Sequence, residues 1–349
     1  MSKEVLLQET PAQISAKLGV PYSASIEILT KCNFDCVHCY IPEHTQEMPT
    51  KTVLQIIDQM KELGVFELML TGGEIFLHKG IMEIISYARS KGLRVTLFSN
   101  ISLLDNDTVS QLAALYVMEV STTIFSLDPK VNDAITQRTG SLKRILKSIE
   151  LLKKYRIPTE IKVPVMQQNK NDYIQIRNFC AENGLKFNYS TAITARTNGD
   201  QLPCSFCLEK EDLKNVLRDI EGNATVRKFH GETQVCHAVS NSFHVDVVGN
   251  VTPCISFPYT YGNVYSQSLK EIWYSAKERS SLIALQKKDL TDCAECDLRD
   301  WCVRCPGLAL SEDGTLLGCS HMDRETAIVR KGLWDESAAG KNIQAEIFQ

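Results

Sequence analysis

The chain has 349 residues, 44% of them hydrophobic, enough for one large core and a smaller one. A formal net charge of -4 with mixed signs and no long charge block gives no basic field for nucleic acid. The 13 cysteines are an odd number grouped at metal-ligand spacings, which argues against a disulfide framework and for a reducing cytoplasm low in oxygen. Met1-Ser-Lys-Glu-Val-Leu-Leu lacks the apolar core of a signal peptide, and no later run approaches membrane-spanning length.

Residues 1–22 read as a lead-in punctuated by Pro11 and Pro21, and a strand-then-helix rhythm follows. A strand over 23–29 delivers the loop Lys31-Cys-Asn-Phe-Asp-Cys-Val-His-Cys-Tyr40. Val53, Ile56, Ile57 and Met60 have helical spacing over 52–63, and Gly64 stops that helix. A strand over 66–70 delivers Thr71-Gly-Gly-Glu74, and a helix covers 81–89. The strand 94–98 ends at Ser99-Asn100, and a helix over 107–115 has Asp107 as its expected cap. The strand 119–125 ends at Ser126-Leu-Asp128. A helix over 142–155, a strand over 159–165, a helix over 173–182 and a strand over 186–192 complete six units.

Such alternation means a parallel sheet with crossover helices, whose ligands bind at the carboxyl ends of the strands. Both motifs fall there. Cys32, Cys36 and Cys39 stand at C-x3-C-x2-C. Three thiolates cannot close a structural zinc site, and on a cubane they leave one iron without a protein ligand. That gap suits an enzyme that binds its substrate on iron. Glu74, after two glycines at a strand end, reads as a ligand. Ser99, Asn100, Ser126 and Asp128 either contact a cofactor or cap helices and close turns.

Thr197-Asn-Gly-Asp200 and Pro203 mark a composition shift near the end of the sheet, and 212–220 reads as a connecting helix. A second cysteine field follows: Cys236, Cys254, Cys293, Cys296, Cys302, Cys305 and Cys319. Residues 246–254 read as a hairpin turned by Gly249-Asn250. The pairs Cys293/Cys296 and Cys302/Cys305 also match a zinc signature, the competing reading. Cys204 and Cys207 form a further C-x2-C, either a spare cluster ligand or ordinary thiols, and Cys180 reads as core. His237, His244 and His321 read as neighbours of the cysteines rather than ligands. Tyr259, Tyr261 and Tyr265 either line a substrate channel or simply pack the hairpin. Residues after 326 read as a polar, helical tail ending in Ile347-Phe348.

On the first cysteine loop and Gly72-Gly73-Glu74, the chain resembles the radical S-adenosylmethionine (SAM) superfamily. The resemblance implies that Cys32, Cys36 and Cys39 hold a 4Fe-4S cluster whose open iron is chelated by SAM. Gly72, Gly73 and Glu74 would hold the amino group of SAM, and Ser99, Asn100, Ser126 and Asp128 would contact its ribose and methionine parts. The residue before the third cysteine is often aromatic in that family and here is His38, which can still pack against adenine. The implied fold is α/β, a partial (βα)6 TIM-like barrel over 23–200 with a small C-terminal cysteine-rich iron–sulfur domain.

The second field is similar to the SPASM extension, which carries two auxiliary 4Fe-4S clusters; 201–230 would be a linker, 231–325 this domain and 326–349 a tail. The Gly262-Asn-Val-Tyr265 turn before Ser268-Leu-Lys-Glu-Ile-Trp273 belongs to the same likeness. It implies that Cys293, Cys296, Cys302 and Cys319 complete one cluster, and that Cys236, Cys254 and Cys305 hold the other with its fourth ligand unassigned. The chain has two residues between Cys302 and Cys305 where the family often has three, and no extra cysteine soon after Cys236.

Enzymes of this arrangement mostly modify peptides or proteins, by thioether or carbon–carbon cross-linking or formylglycine formation. The expected function is oxidative maturation of a peptide or protein substrate by a radical SAM oxidoreductase. An external one-electron donor such as flavodoxin or ferredoxin would feed it. Only about thirty residues precede Cys32, which implies a separate leader-peptide-recognition protein or a substrate bound without one. The alternative is a small-molecule enzyme that decarboxylates haem-precursor propionates. A non-catalytic electron carrier is disfavoured by Gly72-Gly73-Glu74, and no general acid or base is singled out.

Overall fold

A computed structural model describes residues 9–222 and 229–337. The N-terminal segment 1–7 and Ile347-Phe348 therefore lie outside the described residues.

Helix 50–63 shows how the barrel is built. Its buried residues Val53, Ile56, Ile57, Met60 and Leu63 recur every three or four positions and form one apolar stripe. Each such side chain contributes about 1.5–3 kcal/mol when buried. The stripe lies on a sheet whose strands are β1 (Ser23–Glu27), β2 (Glu67–Thr71), β3 (Arg94–Phe98), β4 (Glu119–Thr123), β5 (Thr159–Pro164) and β6 (Lys186–Ser190). All pair in parallel with their sequence neighbours. Helices 50–63, 81–90, 106–114, 129–136, 141–154 and 173–183 fill the crossovers. Ile26, Leu70, Val95, Leu97, Val120 and Ile161 are fully buried between sheet and helices.

The sheet does not end at β1. Strand β7 (Ser242–Val245) pairs in parallel with β1, and β8 (Asn250–Thr252) and β9 (Gly262–Asn263) follow antiparallel, giving the order β6-β5-β4-β3-β2-β1-β7-β8-β9. The cysteine-rich hairpin is thus an extension of the barrel sheet, fixed at β1 by a 2.8 Å hydrogen bond between Ser25 Oγ and His244 Nδ1.

Several expectations need correction. The cap of helix 106–114 is Asp105, whose side chain accepts from Thr108 N–H at 2.8 Å; Asp107 sits inside the first turn. The lead-in contains a helix, Pro11–Leu18, with Thr10 as its cap and Pro11 in the first turn, where a missing N–H costs nothing. Helix 129–136, between Asp128 and the next helix, was not anticipated. The hairpin turn spans 246–249, organised by Asp246 Oδ1 accepting from Val248 and Asn250 N–H, so Asn250 belongs to the strand. Gly249 has φ +86°, and a side chain there would meet the Tyr265 ring.

Linker and tail are not separate pieces. Helix 321–336 begins before the expected tail and packs on helix 210–221 through Leu213, Leu217, Val329 and Leu333. Arg330 adds a two-pronged contact to Glu221.

Candidate radical and auxiliary cluster sites

The cysteine loop leaves β1 and meets the end of β2 backbone to backbone. Gly73 N–H donates to Leu29 O at 2.9 Å and Glu74 N–H to Lys31 O at 2.8 Å. A Cβ on Gly73 would lie 2.7 Å from the Lys31 carbonyl carbon and closer still to the Lys31 and Thr30 oxygens. Gly72, at φ +149°, would meet the Leu29 backbone in the same way. The two glycines are therefore the condition for the loop and Glu74 to stand side by side. From the other flank, Asp35 and Val37 N–H groups donate to Thr136 and Ile135 carbonyls at 3.1 and 3.0 Å, pinning the loop to helix 129–136.

Glu74 has no exposed surface. Its carboxylate accepts from Ser99 Oγ at 2.8 and 2.9 Å, from Asn100 N–H at 2.8 Å and from Phe76 N–H at 2.9 Å. Burial outweighs these bonds and lifts it to about 7. Asn100 Nδ2 also donates to Asn33 Oδ1 at 2.8 Å and lies 3.8 Å from Cys32 Sγ. Ser99 and Asn100 thus orient Glu74 and the cysteine loop. Ser126 is fully buried, and its hydroxyl accepts from Asp128 N–H at 2.9 Å. Asp128 in turn caps helix 129–136 through Lys130 N–H at 2.8 Å. Both are engaged in turn and cap.

Cys32, Cys36 and Cys39 are close enough to act on one another. Burial raises all three thiols, Cys32 to about 11, and the neighbouring cysteine charges push Cys32 and Cys36 the same way. A metal centre that binds thiolates relieves this repulsion. His38 is held down to about 4 by burial and packs edge-on against Phe125, with ring centroids 5.0 Å apart.

The seven C-terminal cysteines divide by the same criterion. Besides burial, the cysteine charges acting on Cys254 are those of Cys236 and Cys305, and the one acting on Cys236 is that of Cys305. Cys302, raised to about 12 by burial, feels Cys293, Cys319 and Cys296. Cys319 feels Cys293 and Cys296. The second group lines a single cavity of about 270 Å³, with Arg304 and Asp323 in its wall. Four thiols around one open space fit a cubane; three thiols leave a corner of another unfilled. Cys204 and Cys207 lie apart, each affected by Glu312 and both sulfurs against Ile193 O. Cys180 is core, as expected. Among the described residues, no three Cys, His, Asp or Glu side chains crowd closely enough to share a single ion.

Sequence reasoning missed Glu27 and Tyr40. Glu27 is buried at the end of β1, accepts from Tyr40 Oη at 3.0 Å, and is raised mainly by burial. Its charge reaches Cys39, as do those of Arg196, which acts in the opposite direction, and Asp35. Both residues line a cavity of about 380 Å³ between barrel and hairpin, together with Glu43, His244 and Asp246. A neighbouring cavity of about 310 Å³ shares Tyr40, Thr197, Ile255 and Pro258 with it and includes Arg196, paired with Asp200 at 2.9 Å. A carboxylate at a strand end beside the third cysteine was the available signal.

Comparison with known proteins agrees with this architecture. The Radical SAM superfamily model matches residues 26–180, and the SPASM iron-sulfur cluster-binding domain matches 236–297. The AdoMet-dependent heme synthase of Methanosarcina barkeri is 25% identical over 336 residues, covering 86% of this chain and 96% of that protein. The antilisterial bacteriocin subtilosin biosynthesis protein AlbA of Bacillus subtilis is 24% identical, covering 75% of this chain and 61% of AlbA. In fold, Streptococcus suis SuiB bound to precursor peptide SuiA matches 88% of this chain and 78% of SuiB, with a TM-score of 0.68 at 18% identity. Among the described residues no helix is long and apolar enough to cross a membrane. The two family matches, on a partial barrel with its cysteine loop and the cysteine-rich extension of its sheet, give this chain a radical SAM domain followed by a SPASM iron–sulfur cluster-binding domain.

Proposed function

We propose that the enzyme modifies a peptide or protein substrate. Cys32, Cys36 and Cys39 would hold the radical cluster, and Gly72, Gly73 and Glu74 the amino group of SAM, with Ser99 and Asn100 fixing Glu74. Cys293, Cys296, Cys302 and Cys319 would hold one auxiliary cluster and Cys236, Cys254 and Cys305 the other. When bound, these groups supply one-electron cleavage of SAM and, from it, hydrogen-atom abstraction. The chain's own part is to place the substrate beside the cysteine loop and keep water out. An external one-electron donor is required, and a separate leader-recognition protein fits this reading.

The observation that carries the substrate class is the charge of the cavity lined by Glu27 and Tyr40, the residue after Cys39. Glu27, Glu43 and Asp246 line it without a lysine or arginine among the described residues; the nearby cation, Arg196, stands in the adjoining cavity and is paired with Asp200. A substrate bearing several propionates would be desolvated against these carboxylates at a cost of several kcal/mol. A peptide brings N–H donors and cationic side chains that such a wall accepts. The haem-precursor reading remains the second, favoured by the likeness that spans 96% of a heme synthase.

The test is anaerobic turnover of the reconstituted enzyme with SAM and reductant. One arm offers peptides encoded beside its gene, the other an iron porphyrin with propionates. Faster 5′-deoxyadenosine release with a peptide that loses the mass of hydrogen supports the proposal. Stimulation by the porphyrin alone, with loss of carboxyl mass, rejects it.

A further inference from the structure

The group formed by Cys236, Cys254 and Cys305 is one thiol short of a closed cubane, and its surroundings contain two buried polar side chains with unused donors. Tyr261 is 4% exposed, and its amide donates to Val251 O at 2.7 Å, which fixes it on the hairpin just before β9. Its Oη is fully buried and has no hydrogen-bond partner among the described residues. A buried hydroxyl left unpaired costs about 1–3 kcal/mol, so this position calls for an acceptor that the polypeptide does not supply. Arg279 and the cysteine side chains of Cys236 and Cys254 are near enough to act on the phenol, with Tyr259 beside it. The Tyr259 ring stands edge-on, its centroid 6.4 Å away.

Arg279 is 6% exposed and belongs to helix 277–284. Its guanidinium lies 3.4 Å from the Trp273 ring centroid, and Nη1 donates to Trp273 O at 2.8 Å. Its Nε is buried without a hydrogen-bond partner among the described residues. Trp273 is itself tied to Gly19 O at 2.8 Å, so the cation is fixed in place. Among the described residues no aspartate or glutamate is in salt-bridge contact with Arg279.

We propose that Tyr261 donates a hydrogen bond from Oη to the sulfur shell of the cluster held by Cys236, Cys254 and Cys305, backed by the fixed charge of Arg279. The pair raises the reduction potential of that cluster, because hydrogen bonds to cluster sulfur and nearby positive charge both favour the reduced, more negative form. Tyr261 is a positioning and tuning residue; iron binding is left to the thiolates. The inference rests on the assignment of these three cysteines to an auxiliary cluster.

The experiment uses full-length protein, anaerobically reconstituted, with Cys32, Cys36 and Cys39 replaced by alanine so that only auxiliary signals remain. Iron content is compared first. Cys236→Ala must lose one cluster's worth of iron; if it does not, the cluster assignment fails before any potential is measured. Redox titration followed by electron paramagnetic resonance then compares Tyr261→Phe, Arg279→Gln and Tyr259→Phe. Tyr261→Phe should keep its iron and lower the reduced-to-oxidised ratio of this cluster about tenfold at fixed potential, equivalent to about 59 mV for one electron. Arg279→Gln should move it in the same direction, Tyr259→Phe should not, and the four-cysteine signal should stay put. An unchanged midpoint in Tyr261→Phe overturns the inference. So does a three-iron signal in that variant, which would make Tyr261 a ligand.

Discussion

Replacing Gly73 by alanine tests the meeting of the cysteine loop with β2. Gly73 has no positive φ, so the added methyl brings no backbone strain and acts by contact alone. It would lie 2.7 Å from the Lys31 carbonyl carbon, and nearer to two carbonyl oxygens that cannot rotate away. Relief requires the segment 30–31 to retreat, which breaks the bonds from Gly73 N–H to Leu29 O and from Glu74 N–H to Lys31 O, 2.9 and 2.8 Å long. Two hydrogen bonds at about 1 kcal/mol each, plus about 1–3 kcal/mol of overpacking, give a loss of about 3–5 kcal/mol. Cys32 moves with the segment, away from Glu74 and Asn100. Denaturant unfolding of the metal-free protein measures the stability, and binding of SAM to reconstituted protein measures the consequence. Gly184→Ala is the control: its φ is +66° with nothing within 4 Å of the new methyl, so it pays backbone strain of about 1–2 kcal/mol without a clash. A Gly73→Ala protein as stable as the control that still binds SAM normally would refute the reasoning.

Glu74 gives a pH dependence. Burial lifts it from 4.5 to about 7, so between those values the folded state holds a proton that the unfolded chain has released. Its contribution is complete below about pH 4.5 and is lost as pH rises to 7, about 3 kcal/mol in all. Asp323, raised to about 6, and Glu27, also raised by burial, contribute a decline of the same sign, so denaturation of the metal-free protein at pH 5 and 7.5 should show a larger decline in wild type than in Glu74→Gln, and equal declines would contradict the assignment. Asp105→Ala should destabilise by about 1 kcal/mol and Asp107→Ala by much less; equal effects in thermal melts would contradict the cap assignment. Alanine at Cys302 should abolish one auxiliary signal and leave the other, whereas alanine at Cys254 should do the reverse. Loss of both from either variant would mean that the seven cysteines do not form two independent groups.

The strand–helix alternation and the two motifs were legible because they depend on short-range patterns. The stripe of Val53, Ile56, Ile57 and Met60 has the period of a helix whatever surrounds it. C-x3-C-x2-C confines three thiols to one loop. Gly72-Gly73 before Glu74 announces a close approach of backbone, though the sequence does not say that the partner is 29–31. The grouping of the seven later cysteines was suggested by resemblance, and it took the fold to set Cys305 beside Cys236 and Cys254 while Cys302 joins Cys293, Cys296 and Cys319.

What the sequence could not decide is what lies across a long chain separation. Asp105 and Asp107 are both plausible caps, and only the backbone path selects the first. Ser99 and Ser126 look alike at strand ends, yet one binds Glu74 and the other closes a turn. The pairing of β7 with β1, more than 200 residues apart, turns an apparent separate module into an edge of the barrel sheet. It also creates the acidic cavity in which Glu27 meets Tyr40 and Asp246. Local sequence determines the elements and the metal-binding residue types, because those follow from periodicity and ligand spacing. The neighbours of each thiol and carboxylate follow from which strand edges pair, and that is decided by the burial of the whole sheet.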